Sequence, residues 1–116
     1  MFRYRLATGV AAVAFTLLTP FATAAHADSL RATGATKSGA AAIVSCSGFS
    51  GEMIGKASRP GNPRSDHPSG RAVDFMTSSR SEGDRVASCA RKTGGVKYVL
   101  WRVADHYDHV HVSFRR

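Results

Sequence analysis

The first 27 residues have the pattern of a removable leader, which would limit the folded domain of this 116-residue chain to 89 residues. Two arginines among the first five residues precede an apolar run over residues 6–18, and an A-x-A sequence ends at Ala27. This pattern is typical of a secretory signal peptide. The run is shorter than the roughly 20 apolar residues of a membrane span. We therefore expect a secreted, extracellular protein without a stable membrane anchor, cleaved after Ala27. Cleavage after Ala24 and an uncleaved amphipathic anchor are the alternatives.

The two cysteines bear directly on how so small a domain is stabilised. A domain of this length buries only about 60% of the surface that its unfolded chain exposes, so a covalent or metal crosslink would stabilise it. Cys46 and Cys89 are the only cysteines, and export permits disulfides. They do not have the spacing of paired metal ligands. We predict a Cys46–Cys89 bridge, and the alternative is two separate buried thiols.

The net charge of the chain indicates which kinds of partner it could bind. The leader contains two of the 16 Lys and Arg residues and none of the eight Asp and Glu residues, so the remaining 14 against eight give a net charge of +6. A basic secreted protein is attracted to anionic surfaces such as those of a cell wall. The basic residues are scattered, without the run of five to eight Lys or Arg that marks a nucleic-acid patch. We expect a monomer that does not bind nucleic acid.

Hydrophobic periodicity after the leader predicts several strands and one clearly patterned helix, without a repeated βα unit. Residues 28–39 are rich in Ala, Thr, Ser and Gly and predict a flexible N-terminal lead, which places the domain at residues 40–116. Residues 40–44 fit either a strand or one helical turn. The clearer elements are a helix at 81–92 with Ser81 as N-cap and strands at 71–76, 96–101 and 109–114. The fold class is therefore α+β, a small antiparallel sheet with one or two flanking helices.

The histidines fall in two places that a sheet could bring together. The alternation from His109 to Phe114 predicts a strand with His109, His111 and Ser113 on one face, so two imidazoles can enter one pocket. His67 lies in a Pro/Ser/Gly-rich loop. Asp74 lies within an apolar strand, where an unpaired buried carboxylate is unfavourable. A zinc ion with three protein ligands would satisfy these groups. The alternatives are an Asp74–arginine ion pair and surface histidines on an edge strand.

Two segments carry a resemblance to a known superfamily. Residues 65–74, Ser-Asp-His-Pro-Ser-Gly-Arg-Ala-Val-Asp, resemble the S-x-H-x-x-G-x-A-x-D motif of the D-Ala-D-Ala carboxypeptidase and LAS-type metallopeptidases. His109-Val110-His111 resembles their H-x-H motif, in the expected order. The sequences at 59–61, 98–102 and 106–114 are similar to small secreted actinobacterial proteins of this superfamily. The resemblance covers roughly residues 55–114. It implies a hedgehog/DD-peptidase-like fold and a zinc peptidase that hydrolyses peptidoglycan peptides with a metal-activated water.

The resemblance also assigns roles to single residues. It implies three Zn²⁺ ligands, namely His67, Asp74 and His111. Asp108 then takes the place of the catalytic base, with His109 hydrogen-bonding the water or the tetrahedral oxyanion. The reverse assignment, or Asp108 orienting His109, stays open. Arg59 would contact a substrate carbonyl or carboxylate, the alternative being a solvent-facing loop arginine.

Three functions follow as expectations. The first is a secreted, cell-wall-associated zinc peptidase, a carboxypeptidase or an endopeptidase. The second is a catalytically weak or inactive zinc-dependent cell-wall-binding module, because the connection from Trp101 to His109 is short. The third is a basic surface-binding protein whose histidines hold no metal. The presence of Asp108 and His109 beside the ligands favours the peptidase, since a pseudoenzyme has no chemical need for them.

Overall fold

A computed structural model describes residue 27 and residues 29–116, and each of its two longer helices is followed by two strands. In chain order these are α1 (Gly34–Ser47), β1 (Met53–Ile54), β2 (Ala72–Met76), α2 (Arg80–Arg91), β3 (Val96–Leu100) and β4 (His109–Phe114). The strands form one antiparallel sheet in the order β1-β2-β4-β3. The predicted α+β class is confirmed. The predicted leader, residues 1–27, lies outside the described residues except for Ala27.

Alternate residues of β2 and β4 face opposite sides of the sheet, and this alternation separates the core from the site. Val73 pairs with Val112 and Phe75 with Val110, and all four belong to the hydrophobic core beneath the two helices. The intervening residues, which include Asp74 and His111, therefore occupy the other face. No helix among residue 27 and residues 29–116 is long and apolar enough to span a membrane.

The prediction of a flexible lead at residues 28–39 is wrong for residues 34–39, which belong to helix α1. Residues 34–39 are already helical, and the ambiguous stretch at 40–44 belongs to the same helix. The Thr33 side chain accepts a hydrogen bond from the Thr36 amide and so caps the first turn. The small residues predicted flexibility, but alanine is the strongest helix former and the burial of Ile43 and Val44 fixes the helix on the core.

Helix α2 confirms the predicted helix but corrects its cap. Ser79, not Ser81, is the N-cap, because its side chain accepts a hydrogen bond from the Glu82 amide at 3.2 Å. The Glu82 carboxylate in turn accepts from the Ser78 amide at 2.9 Å. Of the serines at 78, 79 and 81, only Ser79 lies three residues before Glu82, the spacing at which an N-cap side chain reaches a helix amide.

The predicted disulfide is confirmed. Cys46, near the end of α1, is bonded to Cys89 of α2, with the Cα atoms 5.9 Å apart. The bridge therefore ties together the two helices that cover one face of the sheet.

Substitution of Gly39 by alanine is expected to lower the free energy of unfolding by about 2 kcal/mol, as overpacking of a core does. A Cβ at this buried position would lie 2.2 Å from the Phe114 ring, which is itself buried, so the clash outweighs the gain in helix propensity. Urea unfolding measures the change. Gly34→Ala in the same helix is the control, because its Cβ meets nothing within 4 Å. Equal stability of the two variants would contradict this packing.

Candidate metal centre

The candidate site begins with a cross-strand pair. Asp74 of β2 lies directly opposite His111 of β4 in the sheet register, and both side chains are buried. Directly opposed residues on one face bring their side chains into contact. His67, which is 2% exposed, approaches the pair from the loop between β1 and β2. Two strands and one loop thus bring together the three residues that the sequence predicts as metal ligands.

The polar atoms of these side chains converge on one carboxylate oxygen. His67 Nε2 lies 3.1 Å from Asp74 Oδ1, and His111 Nδ1 lies 3.0 Å from the same oxygen. One ligand atom from each residue lies within 4.8 Å of the other two. The buried group His67, Asp74 and His111 could therefore hold a metal ion.

The hydrogen bonding of His67 tests whether a metal fits. His67 Nδ1 lies 2.7 Å from the Gly55 carbonyl oxygen, which only accepts, so Nδ1 carries the proton. In the neutral ring Nε2 then presents a lone pair to Asp74 Oδ1, another acceptor. In the neutral ring, this buried Nε2 atom therefore has no hydrogen-bond donor among the described residues. Two facing acceptors require a cation between them or a second proton on the ring, and a metal ion meets that requirement.

The pKa values of Asp74 and His67 are shifted in opposite directions. Burial favours the neutral form of Asp74, but hydrogen bonds and the charges of His111 and His67 outweigh it and hold the pKa of Asp74 well below its usual range. Burial lowers the pKa of His67, but the hydrogen bonds to Asp74 and the Gly55 carbonyl and the Asp74 charge outweigh it and raise that pKa. Without a metal, a protonated His67 is therefore favoured beside an ionised Asp74.

Chelator-treated protein is accordingly expected to be most stable at weakly acidic pH. The lowered pKa of Asp74 contributes stability above the ordinary carboxyl value of 3.8, and this is lost as pH falls through the folded-state value. The raised pKa of His67 contributes stability below the ordinary value of 6.5, and this is lost as pH rises through the folded-state value. Thermal unfolding against pH measures the profile. His67→Gln should remove the decline on the alkaline side, and an unchanged profile in that variant would contradict the assignment.

His109 and Asp108 lie beside the group of His67, Asp74 and His111, and His109 is the nearer of the two. His109 Nδ1 lies 2.7 Å from Asp108 Oδ1, whereas His109 Nε2 lies 3.9 Å from Asp74 Oδ1. The Asp108 side chain is 79% exposed, and its hydrogen bond with His109 lowers the pKa of the carboxyl. The imidazole of His109 therefore stands between Asp108 and the ligand group.

Arg59 lies at the site, not in a solvent-facing loop. Its guanidinium NH2 atom is 3.6 Å from Asp74 Oδ2, with 35% of the side chain exposed. The arginine lines an open pocket of about 380 Å³ above the ligand group. The other residues that line this pocket are Asn62, Arg64, Ser65, His67, Asp74, Tyr98, Leu100, Asp105, His106, His109 and His111.

Several pocket residues were not identified from the sequence, and two of them contact the histidines of the site. Tyr98 stacks on His111, with ring centroids 5.7 Å apart and planes at 19°. The His106 ring lies 4.8 Å from His109 and 5.8 Å from His111, and its Nδ1 donates to the Ala104 carbonyl. The H-x-x-H spacing of His106 and His109 was a signal for the second residue. No local pattern marked Tyr98, which reaches the pocket through the pairing of β3 with β4.

Comparison with known proteins gives one match. The family model described as VldE, C-terminal domain, matches residues 28–108. The matched range includes His67 and Asp74 and ends immediately before His109. No curated protein and no solved structure matches the chain.

Proposed function

The chain belongs to the VldE, C-terminal domain family, because the family model matches more than half of its length, and we propose that this member is a zinc-dependent peptidase that hydrolyses peptidoglycan peptides. The observation that carries the proposal is the buried group of two imidazoles and one carboxylate with converging ligand atoms. The motifs at residues 65–74 and 109–111 support the same function by resemblance.

The donor set favours zinc. Two histidines and one carboxylate are the protein ligands of many catalytic zinc sites, which keep one position open. His67 would bind through Nε2, His111 through Nδ1 and Asp74 through a carboxylate oxygen, the atoms that converge here. When bound, zinc supplies a Lewis acid that polarises a carbonyl and makes water more acidic.

We assign His109 as the base and Asp108 as its positioning residue. Of the two nitrogens of the His109 ring, Nε2 is the nearer to the ligand group, 3.9 Å from Asp74 Oδ1, and an imidazole can both accept and donate a proton, as this role requires. Asp108 accepts from Nδ1–H and so holds the tautomer in which Nε2 can take a proton from water and pass it to the leaving amine. This replaces the resemblance-based choice of Asp108 as base, because Asp108 contacts only the far side of the ring.

The pocket and the charge suit a cell-wall peptide. Arg59 and Arg64 can both donate to a substrate carbonyl or carboxylate, and Tyr98 and Leu100 provide apolar contacts beside them. The net charge of +6 after the predicted leader favours residence on an anionic wall. The Cys46–Cys89 bridge is compatible with an oxidising extracellular location.

Digestion of wall peptides tests this function. Zinc-loaded protein is incubated with purified peptidoglycan and with synthetic stem peptides, and the products are identified by mass spectrometry. We expect cleavage of one amide bond, abolished by chelation and restored by zinc. A protein that carries zinc, sediments with peptidoglycan and cleaves none of these substrates would contradict the peptidase and favour the binding module.

A further inference from the structure

A short segment before helix α1, residues 30–33, lies against the loop that carries His67, and we call this segment the strap. Leu30 is 7% exposed and belongs to the hydrophobic core, which anchors the start of the strap. At its end the Thr33 amide donates to the Gly70 carbonyl at 3.0 Å, and the Gly70 amide donates to the His67 carbonyl at 3.0 Å. The strap is therefore connected to the backbone of a proposed metal ligand.

A single peptide group joins the strap to the imidazole of His67. The Gly55 carbonyl oxygen accepts a hydrogen bond from His67 Nδ1 at 2.7 Å. The amide of the same peptide group, that of Lys56, donates to the Arg31 carbonyl at 2.6 Å. A trans peptide group is planar, with its C=O and N–H directed to opposite sides, so turning it would disturb both hydrogen bonds. The Arg31 carbonyl therefore fixes the direction of the carbonyl that orients His67.

The close approach of the strap to this peptide group requires a residue without a side chain at position 55. A Cβ on Gly55 would lie 2.2 Å from the Arg31 carbonyl oxygen and 3.1 Å from Leu30 Cδ1. The φ angle of Gly55 is not positive, so its backbone conformation is open to alanine. Alanine at this position would therefore push the strap and the loop apart without straining the backbone of the loop itself.

We propose that the strap positions the metal ligand His67, because the Arg31 carbonyl, acting through the Gly55–Lys56 peptide group, holds the imidazole with Nε2 toward the metal centre. The inference rests on the zinc site of the proposed function and deepens it. The strap lies outside residues 55–114, which carry the resemblance, and within the segment whose sequence predicted a flexible lead. Loss of a partner that orients a ligating histidine typically weakens metal binding by about 10–100-fold.

Zinc affinity is measured by competition with a chromogenic chelator for the wild type, Gly55→Ala and two control variants. Gly55→Ala should bind zinc about 10–100-fold more weakly. Gly61→Ala changes the same connection between β1 and β2, but its Cβ meets nothing within 4 Å, so it should bind zinc like the wild type. Gly39→Ala overpacks the core away from His67 and controls for lost stability, and its zinc affinity should also be unchanged.

Leu30→Ala is a second variant, which loosens the strap without adding an atom beside the loop. It keeps the test open if circular dichroism shows that Gly55→Ala does not fold. Because the shortened side chain no longer anchors the strap to the core, we expect zinc binding to weaken by about 10-fold. Wild-type zinc affinity in the folded strap variants would overturn the inference. Equal weakening in Gly39→Ala would also overturn it, since the effect would then come from lost stability.

A second readout needs no zinc. In chelator-treated wild type at weakly acidic pH, NMR should show slow exchange with water for the Lys56 amide proton and the His67 Nδ1 proton, because each is hydrogen-bonded. Both should exchange faster in Gly55→Ala and stay slow in Gly61→Ala. Fast exchange of either proton in the wild type, or an unchanged His67 proton in Gly55→Ala, would overturn the inference. A wild type that binds no zinc contradicts the proposed function instead, and proton exchange then decides the inference alone.

Discussion

Replacement of Cys46 and Cys89 together by alanine is expected to lower the free energy of unfolding by about 4 kcal/mol. The bridged residues are 43 apart in sequence, and in the loop-entropy description a crosslink of that span restricts the unfolded chain by this amount. Domains have only about 5–15 kcal/mol of stability in total, so the loss would be a large share of it. The bridge joins α1 to α2, and without it the two helices rely on their packing alone.

Urea unfolding of the oxidised wild type and the double variant measures this contribution. Wild type unfolded in the presence of a reductant is the control and should approach the double variant. A difference below about 0.5 kcal/mol, the range of ordinary surface substitutions, would contradict a stabilising role for the bridge.

His109→Ala is expected to lower the rate of peptide hydrolysis by about 10²–10⁴-fold, the usual contribution of a general base. Zinc binding should change little, because His67, Asp74 and His111 supply the converging ligand atoms without it. Single-turnover hydrolysis and zinc titration on the same preparations separate the two effects.

Asp108→Asn is the companion variant, which tests whether His109 or Asp108 is the general base. Among the described residues its carboxylate hydrogen-bonds His109 Nδ1 alone, so we expect a smaller loss of about 10–100-fold, as for other orienting partners. A larger loss in Asp108→Asn than in His109→Ala would instead make Asp108 the base.

The features that could be predicted from the sequence are those that depend on local patterns. The alternation in residues 109–114 is sufficient to place His109, His111 and Ser113 on one face of a strand. The set of metal ligands was harder to predict from local patterns, because Asp74 and His111 come together through the pairing of β2 with β4. The resemblance of the two motifs supplied that non-local information.

The features that sequence reasoning missed depend on contacts between distant segments. Helix α1 begins at Gly34 because Thr33 caps it and the core holds it, although its small residues gave almost no apolar periodicity. His106 reaches the pocket from a tight loop in which Arg102 and Asp105 adopt left-handed backbone angles, φ 59° and 65°. Asp66 lies next to a motif histidine, but only the folded chain brings it to Lys97.

The most direct test of the account is the metal content of purified protein, wild type beside His111→Ala. Both proteins are loaded with zinc, dialysed and analysed by elemental mass spectrometry, with circular dichroism confirming that the variant is folded. We predict about one zinc ion per chain in the wild type and little in the variant, as expected for a site with three protein ligands. Equal zinc content in the two proteins, or none in the wild type after loading, would contradict a metal centre at His67, Asp74 and His111.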